Sequence, residues 1–294
     1  MRRPLESVPN FSEGRNRATI DALAVALGSG GARLLDVHAD EDHNRSVFTL
    51  VGSGDELVES LLAGIARAAE LIDLRAHQGA HPRIGAADVV PLVPLATDDE
   101  PHAREAAARL AERVGKELAL PVFLYGALAE GRGPAFFRRG GPDELQRRVD
   151  AGELEAAYGP AQLSSSAGGV LVGVRRPLIA FNVNLRGPLE AAREVAALVR
   201  ETGGGFPGVR ALGLDLPTAG LVQVSMNVED WEAAALHAIV AEVARLAEDR
   251  GAAVVGSELV GLMPAGAAAA AAGAVLRIDG FDASRLLELR LLQD

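Results

Sequence analysis

The chain has 294 residues, 49% of them apolar, no cysteine and a formal net charge of −11 at pH 7. Its length fits one large domain or two ordinary ones, and the lack of cysteine excludes disulfides and thiolate sites. An acidic chain with few aromatic residues argues against a nucleic-acid partner. Because no apolar run reaches the roughly 20 residues that span a bilayer and no signal peptide is recognisable, we expect no membrane partner and a cytoplasmic location.

The first half of the chain predicts alternating strands and helices. Apolar spacing predicts strands at 5–11, 32–40, 45–52, 86–95 and 121–128, and helices at 14–28, 54–74 and 99–120. The helix at 54–74 has the most regular apolar stripe. The strand at 86–95 contains Pro91 and Pro94, which predicts an edge strand or a bulge.

Residues 129–168 are rich in Gly, Pro and Arg, and predict a binding segment or a mobile surface loop with a short helix after Pro142. Beyond them the pattern predicts strands within 170–185, at 209–217, 221–228 and 252–264, and helices at 187–204, 229–251, 266–273 and 281–294. Both halves contain a β-α-β-β-α-β order. We therefore predict an α+β chain of two ferredoxin-like subdomains, residues 1–177 and 178–294, packed with a cleft between them.

Two of the six histidines, His77 and His81, lie four residues apart. Such a pair on one helix face can bind zinc. However, Gly79 lies between them, and Pro82 favours an extended backbone at His81. The acidic, histidine-containing segment 36–44 is more typical of a solvated turn. We predict no metal site.

Motifs for nucleophilic catalysis or nucleotide binding are weak. Ser164–Ser166 lack the G-x-S-x-G elbow of a serine hydrolase. Residues 28–31, GSGG, lie between a helix and a strand, which is the wrong order for a dinucleotide fingerprint.

An extended His-Pro-Arg turn could direct one ring nitrogen of His81 into a cleft. An imidazole has an unperturbed pKa of about 6.5 and can both accept and donate a proton near neutral pH. Arg83 could then hold a carboxylate through two hydrogen bonds. The alternative is structural: His81 caps the preceding helix, and Arg83 forms a surface ion pair.

Several separated blocks of the sequence carry a resemblance to one family. These blocks are VPNFSEGRN, DHNRSVFTLVG, DLRAHQGAHPRIGAADVVPLVP, LIAFNVNL, QVSMNV and GSELVGLMP, at Val8–Asn16, Asp42–Gly52, Asp73–Pro94, Leu178–Leu185, Gln223–Val228 and Gly256–Pro264. In these blocks, which occur in the family's order, the chain resembles the glutamate formimidoyltransferase (formiminotransferase) family in its monofunctional form.

The resemblance implies an enzyme of histidine degradation. It would transfer the formimidoyl group from N-formimidoyl-L-glutamate to N5 of tetrahydrofolate, a co-substrate, and would act as a homodimer. The family's catalytic histidine lies in the motif matched by HPRIGA, so the implied acid/base is His81 rather than His77.

The resemblance also implies a folate-binding loop, where three serines replace the proline with a His or aromatic neighbour that the family often has. Its residues are Gly159, Pro160, Ala161, Gln162, Leu163, Ser164, Ser165, Ser166, Ala167 and Gly168.

Both substrates are anionic, so arginines and amides in the similar blocks are candidate substrate-binding residues. These candidates are Asn10, Asn44, Arg45, Arg83, Arg175, with Arg176 beside it, Asn182, Asn184 and Gln223. Asp40 and Asp42 could orient a histidine or a substrate ammonium, or only solvate their loop. We expect Phe181 and Trp231 to belong to the core.

Alternative functions remain open from the sequence. The same chemistry could use another donor, such as formimidoylglycine or formyl-tetrahydrofolate. A non-catalytic folate-binding homologue is favoured by the altered loop and disfavoured by the intact AHPRIGA segment. A purely structural dimer is the fourth possibility.

Overall fold

A computed structural model describes residues 4–291. The chain divides into two compact units, residues 1–177 and 178–294. No helix within the described residues combines the length and the apolarity needed to cross a bilayer.

The first unit is a mixed sheet with helices on both faces. Its elements are β1 Leu5–Ser7, β2 Asn10–Phe11, α1 Arg17–Gly28, β3 Arg33–Asp40, β4 Arg45–Gly52, α2 Gly54–Leu71, β5 Ala87–Pro94, α3 Glu100–Glu117, β6 Val122–Gly126, α4 Pro134–Arg138, α5 Gly141–Asp150 and β7 Val170–Val174. A 3₁₀ turn at Leu74–Ala76 follows α2 and leads into the histidine segment.

The sheet of this unit contains a ferredoxin-like core and an extension. Strand β3 pairs with β4, β4 pairs with β1 and β2, and both of these pair with β5, all antiparallel. Strand β5 then pairs with β7, and β7 with β6, both in parallel. The prediction of a ferredoxin-like subdomain is confirmed for the core. The helix and the strand predicted at 99–120 and 121–128 are present as α3 and β6. Their addition to the ferredoxin-like sheet, through the parallel strand β7, was not predicted.

Of the two alternatives predicted for β5, the edge is wrong, whereas a bulge is present: the pairing with β2 shifts in register between Val89 and Ala87. Every residue of β5 is buried, and the strand lies between β1/β2 and β7. Pro91 is tolerated there because pairing with β1 ends at Ser7–Leu92 and resumes in β2 at Asn10–Val89. Its missing N–H therefore falls opposite a break in the ladder, and its carbonyl accepts a bond from the Ser7 hydroxyl at 2.6 Å.

Alternation along the strands gives the sheet two different faces. Helices α1, α2 and α3 cover the first face, where the stripe predicted at Leu57, Leu61, Ile65 and Ala68 is buried. Helix α2 begins with a capping box, in which the Ser53 hydroxyl and Glu56 carboxylate bond each other's backbone N–H. Helices α4 and α5 cover part of the second face, packing on Ile84, Val89, Phe123, Tyr125 and Leu171.

The second unit is a four-stranded antiparallel sheet in the order β11-β8-β10-β9 within the described residues. Helices α6 and α7 pack on one face, which confirms the ferredoxin-like prediction. Its elements are β8 Ile179–Arg186, α6 Leu189–Val199, β9 Val209–Leu216, β10 Leu221–Val228, α7 Leu236–Glu248, β11 Ala253–Val260, α8 Ala265–Leu276 and α9 Leu287–Leu291.

Two helices of this unit differ from their predictions. Helix α7 begins at Leu236 rather than at residue 229, because residues 231–234 form a turn in which Asp230 accepts a bond from the Ala233 N–H. The predicted final helix is limited to α9 and a preceding 3₁₀ turn, and residues 292–294 lie outside the described range. Phe181 and Trp231 lie against the core, as predicted.

Candidate active site

His81 lies in a non-helical turn between α2 and β5, as Pro82 predicts. It is half-buried, and its Nδ1 lies 2.8 Å from the carbonyl oxygen of Pro82. A carbonyl can only accept, so Nδ1 carries the proton and Nε2 presents a free lone pair. Burial lowers the pKa of His81 well below 6.5, and the positive charges of Arg45 and Arg138 lower it further. The ring is therefore a neutral base at pH 7.

His77 has a different environment, and both of its ring nitrogens are occupied. Its Nε2 lies 3.1 Å from the carbonyl oxygen of Asn44, and its Nδ1 contacts a guanidinium nitrogen of Arg83. With Nε2 donating to the carbonyl, Nδ1 is left to accept from the arginine. His77 is a structural link between segments, and the structure leaves neither nitrogen for a metal ion.

Arg83 holds the histidine turn together. Besides contacting His77, its Nη2 donates to the carbonyl oxygen of His81 at 2.6 Å and to that of His43 at 3.3 Å. Its predicted role in binding a carboxylate stays a prediction. These contacts make Arg83 a brace for the backbone that carries His81.

Gly79 permits the close packing of this turn. A Cβ atom there would lie 2.4 Å from the carbonyl oxygen of His43, 2.7 Å from Nη2 of Arg83 and 2.9 Å from Cβ of Asn44. Real Cβ atoms do not approach backbone oxygens so closely, so glycine is required at this position.

The variant Gly79→Ala should therefore shift the turn. We expect it to destabilise the protein by ~1–3 kcal/mol through overpacking. Because catalysis depends on sub-ångström placement, kcat should fall about tenfold or more. Thermal unfolding and transfer rates measure the two effects. Gly28→Ala, where a Cβ meets only open space, is the control; equal stability and activity in both variants would contradict the requirement for glycine.

Arg45 and Arg138 bring positive charge to the second sheet face beside His81. Arg45 begins β4 on the side opposite to the core residues Phe48 and Leu50. Burial and the neighbouring Arg138 lower the pKa of Arg45 to about 9. Its Nε is buried without a hydrogen-bond partner among the described residues, and the same holds for Nε of Arg138.

Asp88 is the acidic partner of this group. One carboxylate oxygen accepts a bond from the backbone N–H of Ile84 at 2.7 Å, and the other pairs with Nη2 of Arg138. The side chains of Asp88 and Arg138 are only 4% and 13% exposed. The carboxylate therefore connects the end of the histidine turn to helix α4.

Tyr125, Arg175 and Glu6 continue the polar part of the same face. Burial raises the pKa of Tyr125 to about 12, although Arg175 and Arg138 oppose the change. Burial also raises the pKa of Glu6, again opposed by Arg175. Arg175 donates to the carbonyl oxygen of Arg176 at 2.9 Å, and Arg176 itself is exposed. Arg175 thus lies in the same charged group as Arg138.

Asn10 and Asn44 are buried and bonded to the backbone. The Asn10 amide donates to the carbonyl oxygen of Val8 at 2.7 Å. Asn44, at a positive φ of 45°, donates to the carbonyl oxygen of Gln78 at 2.9 Å and accepts from the Gly14 N–H at 2.9 Å. Asn44 therefore fixes the histidine segment to the β3–β4 connection, and substrate binding by either amide stays a prediction.

The loop at 159–168 is anchored on both flanks of the histidine turn. The Leu74 N–H donates to the carbonyl oxygen of Ser166, and the Ala86 N–H to that of Ala167. At the other end of the loop, Gln146 accepts from the Leu163 N–H at 2.7 Å and donates to the Ala161 carbonyl at 3.4 Å. Ser165 and residues 159–162 are exposed. The loop is tied at its base and open at its tip.

A second polar group lies in the second unit, on the sheet face opposite to α6 and α7. Gln223 donates to Asn184 at 2.9 Å and to Glu258 at 3.4 Å, and Asn182 donates to Glu258 at 3.1 Å. Gln223 is fully buried, and its carbonyl oxygen lacks a partner among the described residues. The three predicted amides thus form one group in this unit: Glu258 joins Asn182 to Gln223, and Gln223 bonds Asn184 directly.

The sequence interpretation missed Asp88, Arg138, Tyr125 and His43. An available signal was Asp88 within an apolar strand, because a buried carboxylate needs a partner. His43, assigned to a solvated turn, is in fact buried, with its ring centroid 6.2 Å from that of His81. No group of three or more His, Cys, Asp or Glu in the described part of the chain could hold a metal ion.

Comparisons with known proteins cover both units. Residues 4–175 match the family model of the formiminotransferase domain, N-terminal subdomain, and residues 180–280 match that of the formiminotransferase domain. The chain is 38% identical to a glutamate formimidoyltransferase of Streptococcus pyogenes serotype M1, over 99% of this chain and 100% of that protein. It is 37% identical to a glutamate formimidoyltransferase of Thermoplasma acidophilum, over 98% and 97%. With the formimidoyltransferase-cyclodeaminase of Rattus norvegicus it shares 40% identity over 88% of this chain and 50% of that protein.

Proposed function

The chain belongs to the formiminotransferase family, and on that premise we propose how it transfers the formimidoyl group from N-formimidoyl-L-glutamate to N5 of tetrahydrofolate. The observation that carries the proposal is the environment of His81, a neutral imidazole with Nδ1 bonded to the Pro82 carbonyl and Nε2 free.

The transfer needs one proton to move between two nitrogens. N5 of tetrahydrofolate attacks the amidine carbon, and a tetrahedral intermediate forms with a new N5–C bond. Nε2 of His81 accepts the N5 proton and returns it to the glutamate nitrogen. The bond from that nitrogen to carbon then breaks, releasing L-glutamate and 5-formimidoyltetrahydrofolate. One group with a suitable pKa can serve as base and then as acid.

The imidazolium that forms between these steps needs stabilisation. The Pro82 carbonyl accepts from Nδ1 and favours the charged ring. Arg45 and Arg138 oppose it until anions neutralise them. Bound substrate carboxylates would supply that neutralisation and raise the proton affinity of His81 when it is needed.

The folate-binding role of residues 159–168 is part of the proposal. Backbone hydrogen bonds join Ser166 and Ala167 to the two flanks of the histidine turn. A pterin held by the exposed tip would therefore be held by the same structure that places His81. A substrate-binding role for Asn182, Asn184 and Gln223, which are hydrogen-bonded as one group with Glu258 within the second unit, is also part of the proposal.

The Gln146 contacts give a test of this loop. Gln146→Ala removes both bonds to the loop, each worth ~0.5–1.5 kcal/mol. We expect KM for tetrahydrofolate to rise about two- to tenfold, with KM for the donor unchanged. Gln146→Glu keeps the acceptor for the Leu163 N–H but loses the donor to the Ala161 carbonyl and faces the Asp150 carboxylate, so it should recover only part of the affinity. A change in donor KM alone would show that this loop does not bind folate.

The transfer itself is tested by incubating the purified protein with N-formimidoyl-L-glutamate and tetrahydrofolate. Acid converts the product to methenyl-tetrahydrofolate, which absorbance detects. Product from formimidoylglycine or formyl-tetrahydrofolate alone would favour the alternative donors, and folate binding without turnover of any donor would favour the binding homologue.

A homodimer and a cytoplasmic location complete the proposal. Light scattering measures the oligomeric state, and cell fractionation measures the location.

A further inference from the structure

The surroundings of His81 hold more buried positive charge than negative charge. The positive charges here belong to Arg45, Arg83 and Arg138, each of which lowers the pKa of another of these arginines or of His81. The carboxylates of Asp88 and Asp40 have the opposite effect on the arginines. Asp88 is already paired with Arg138, and no carboxylate among the described residues forms an ion pair with Arg45. A buried guanidinium without an anion is costly, so the group as built lacks one negative charge.

The Nε atoms of Arg45 and Arg138 show that hydrogen bonding is incomplete as well. Both are buried and lack a partner among the described residues. Asp88 fixes Arg138 and also bonds the Ile84 N–H at the end of the histidine turn. The position of the Arg138 guanidinium is therefore set relative to the histidine turn. Guanidinium donors match a carboxylate in shape and charge.

The chemistry of the proposed donor decides which carboxylate fits. Its α-carboxylate is attached to the same carbon as the nitrogen that leaves, so it must come close to the group that protonates that nitrogen. Its γ-carboxylate is two methylene groups further away. The carboxylates of tetrahydrofolate are separated from N5 by the aminobenzoyl group.

We infer that Arg45 and Arg138 bind the α-carboxylate of the donor, with Asp88 as the positioning residue for Arg138. This inference rests on the proposed function and adds a specificity to it. These two arginines recognise an N-formimidoyl α-amino acid through its α-carboxylate.

Three donors separate the carboxylates. N-formimidoyl-L-glutamate has both, N-formimidoylglycine keeps only the α-carboxylate, and N-formimidoyl-4-aminobutyrate keeps only the one that corresponds to γ. Each is assayed with tetrahydrofolate, using wild type, Arg45→Met, Arg138→Met and Arg138→Lys. Arg147→Met, an exposed arginine of α5 paired with Glu144 and Glu153, is the control.

We expect KM for the glutamate and glycine donors to rise about 10- to 100-fold in Arg45→Met and Arg138→Met, as expected for a lost charge-assisted bond. KM for the 4-aminobutyrate donor should change less than about threefold. Arg138→Lys should fall between wild type and Arg138→Met. Arg147→Met should resemble wild type with every donor.

Other patterns would overturn the inference. A rise confined to the glutamate and 4-aminobutyrate donors would assign the arginines to the γ-carboxylate. A rise in KM for tetrahydrofolate alone would assign them to folate, and equal losses with all donors would indicate a structural role. Wild type inactive with every donor would overturn the proposed function too. Should Arg138→Met unfold because Asp88 loses its partner, the double variant Asp88→Asn/Arg138→Met and the independent Arg45→Met supply the same comparison.

Discussion

Replacing His81 with alanine should lower kcat for formimidoyl transfer by about 10²- to 10⁴-fold, the range typical of general acid–base catalysis. The variant loses the Nε2 of His81, whereas Arg83, Asn44 and His77 still hold the backbone of the turn. KM for both substrates should change little because the predicted binding groups remain.

The test needs a variant that is folded and still binds folate. Thermal unfolding and tetrahydrofolate binding of His81→Ala should match wild type within a few degrees and a few-fold. His77→Gln is the matched comparison, since it alters a structural histidine of the same segment. Wild-type kcat in a folded His81→Ala would remove His81 from the mechanism.

The pH dependence of kcat/KM should have its acid limb well below pH 6.5. Burial, Arg45, Arg138 and His43 all lower the pKa of His81, and the bond to the Pro82 carbonyl opposes them only in part. A depressed pKa means that the ring loses its proton at lower pH. The base form then persists as pH falls from 7, and activity is lost only when pH passes through the lowered pKa.

Removing one positive charge near His81 should move the acid limb of the kcat/KM profile to higher pH. In Arg45→Met or Arg138→Met the pKa of His81 rises towards 6.5, because a like charge no longer opposes protonation. At a pH below the His81 pKa of both wild type and variant, the ring is mostly protonated in each. The variant, with the higher pKa, then has less unprotonated ring and a lower kcat/KM relative to its own plateau. The limb is compared after each profile is scaled to its plateau, so that weaker substrate binding does not enter. An unchanged limb in both variants, or a limb moved to lower pH, would contradict the electrostatic coupling.

Most helices and strands could be predicted because the spacing of apolar residues along the chain decides which face of each element is buried. The apolar stripe of α2 and the alternation in β8 and β10 both recur as buried faces. The edge alternative for the proline-containing strand β5 was wrong because the tolerance for Pro91 depends on an interruption in another strand. That interruption is a tertiary feature, which the composition of β5 does not contain.

The site was predicted in part for the same reason. Pro82 identified the extended turn of His81 because its steric effect is on the adjacent residue. The partnership of Asp88 with Arg138 joins residues fifty positions apart, and no local pattern connects them. The engagement of Arg83 and Asn44 with backbone carbonyls likewise depends on how the β3–β4 connection meets the histidine segment.

The most direct measurement is the ¹⁵N chemical shift of the two ring nitrogens of His81 in the ligand-free protein at pH 7, assigned by comparison with His81→Ala. A proton on Nδ1 and none on Nε2 is the predicted result, with no change as the pH is lowered to 6.5. An imidazolium at pH 7, or a ring with its proton on Nε2, would contradict the claim that His81 enters the reaction as a neutral base with Nε2 free.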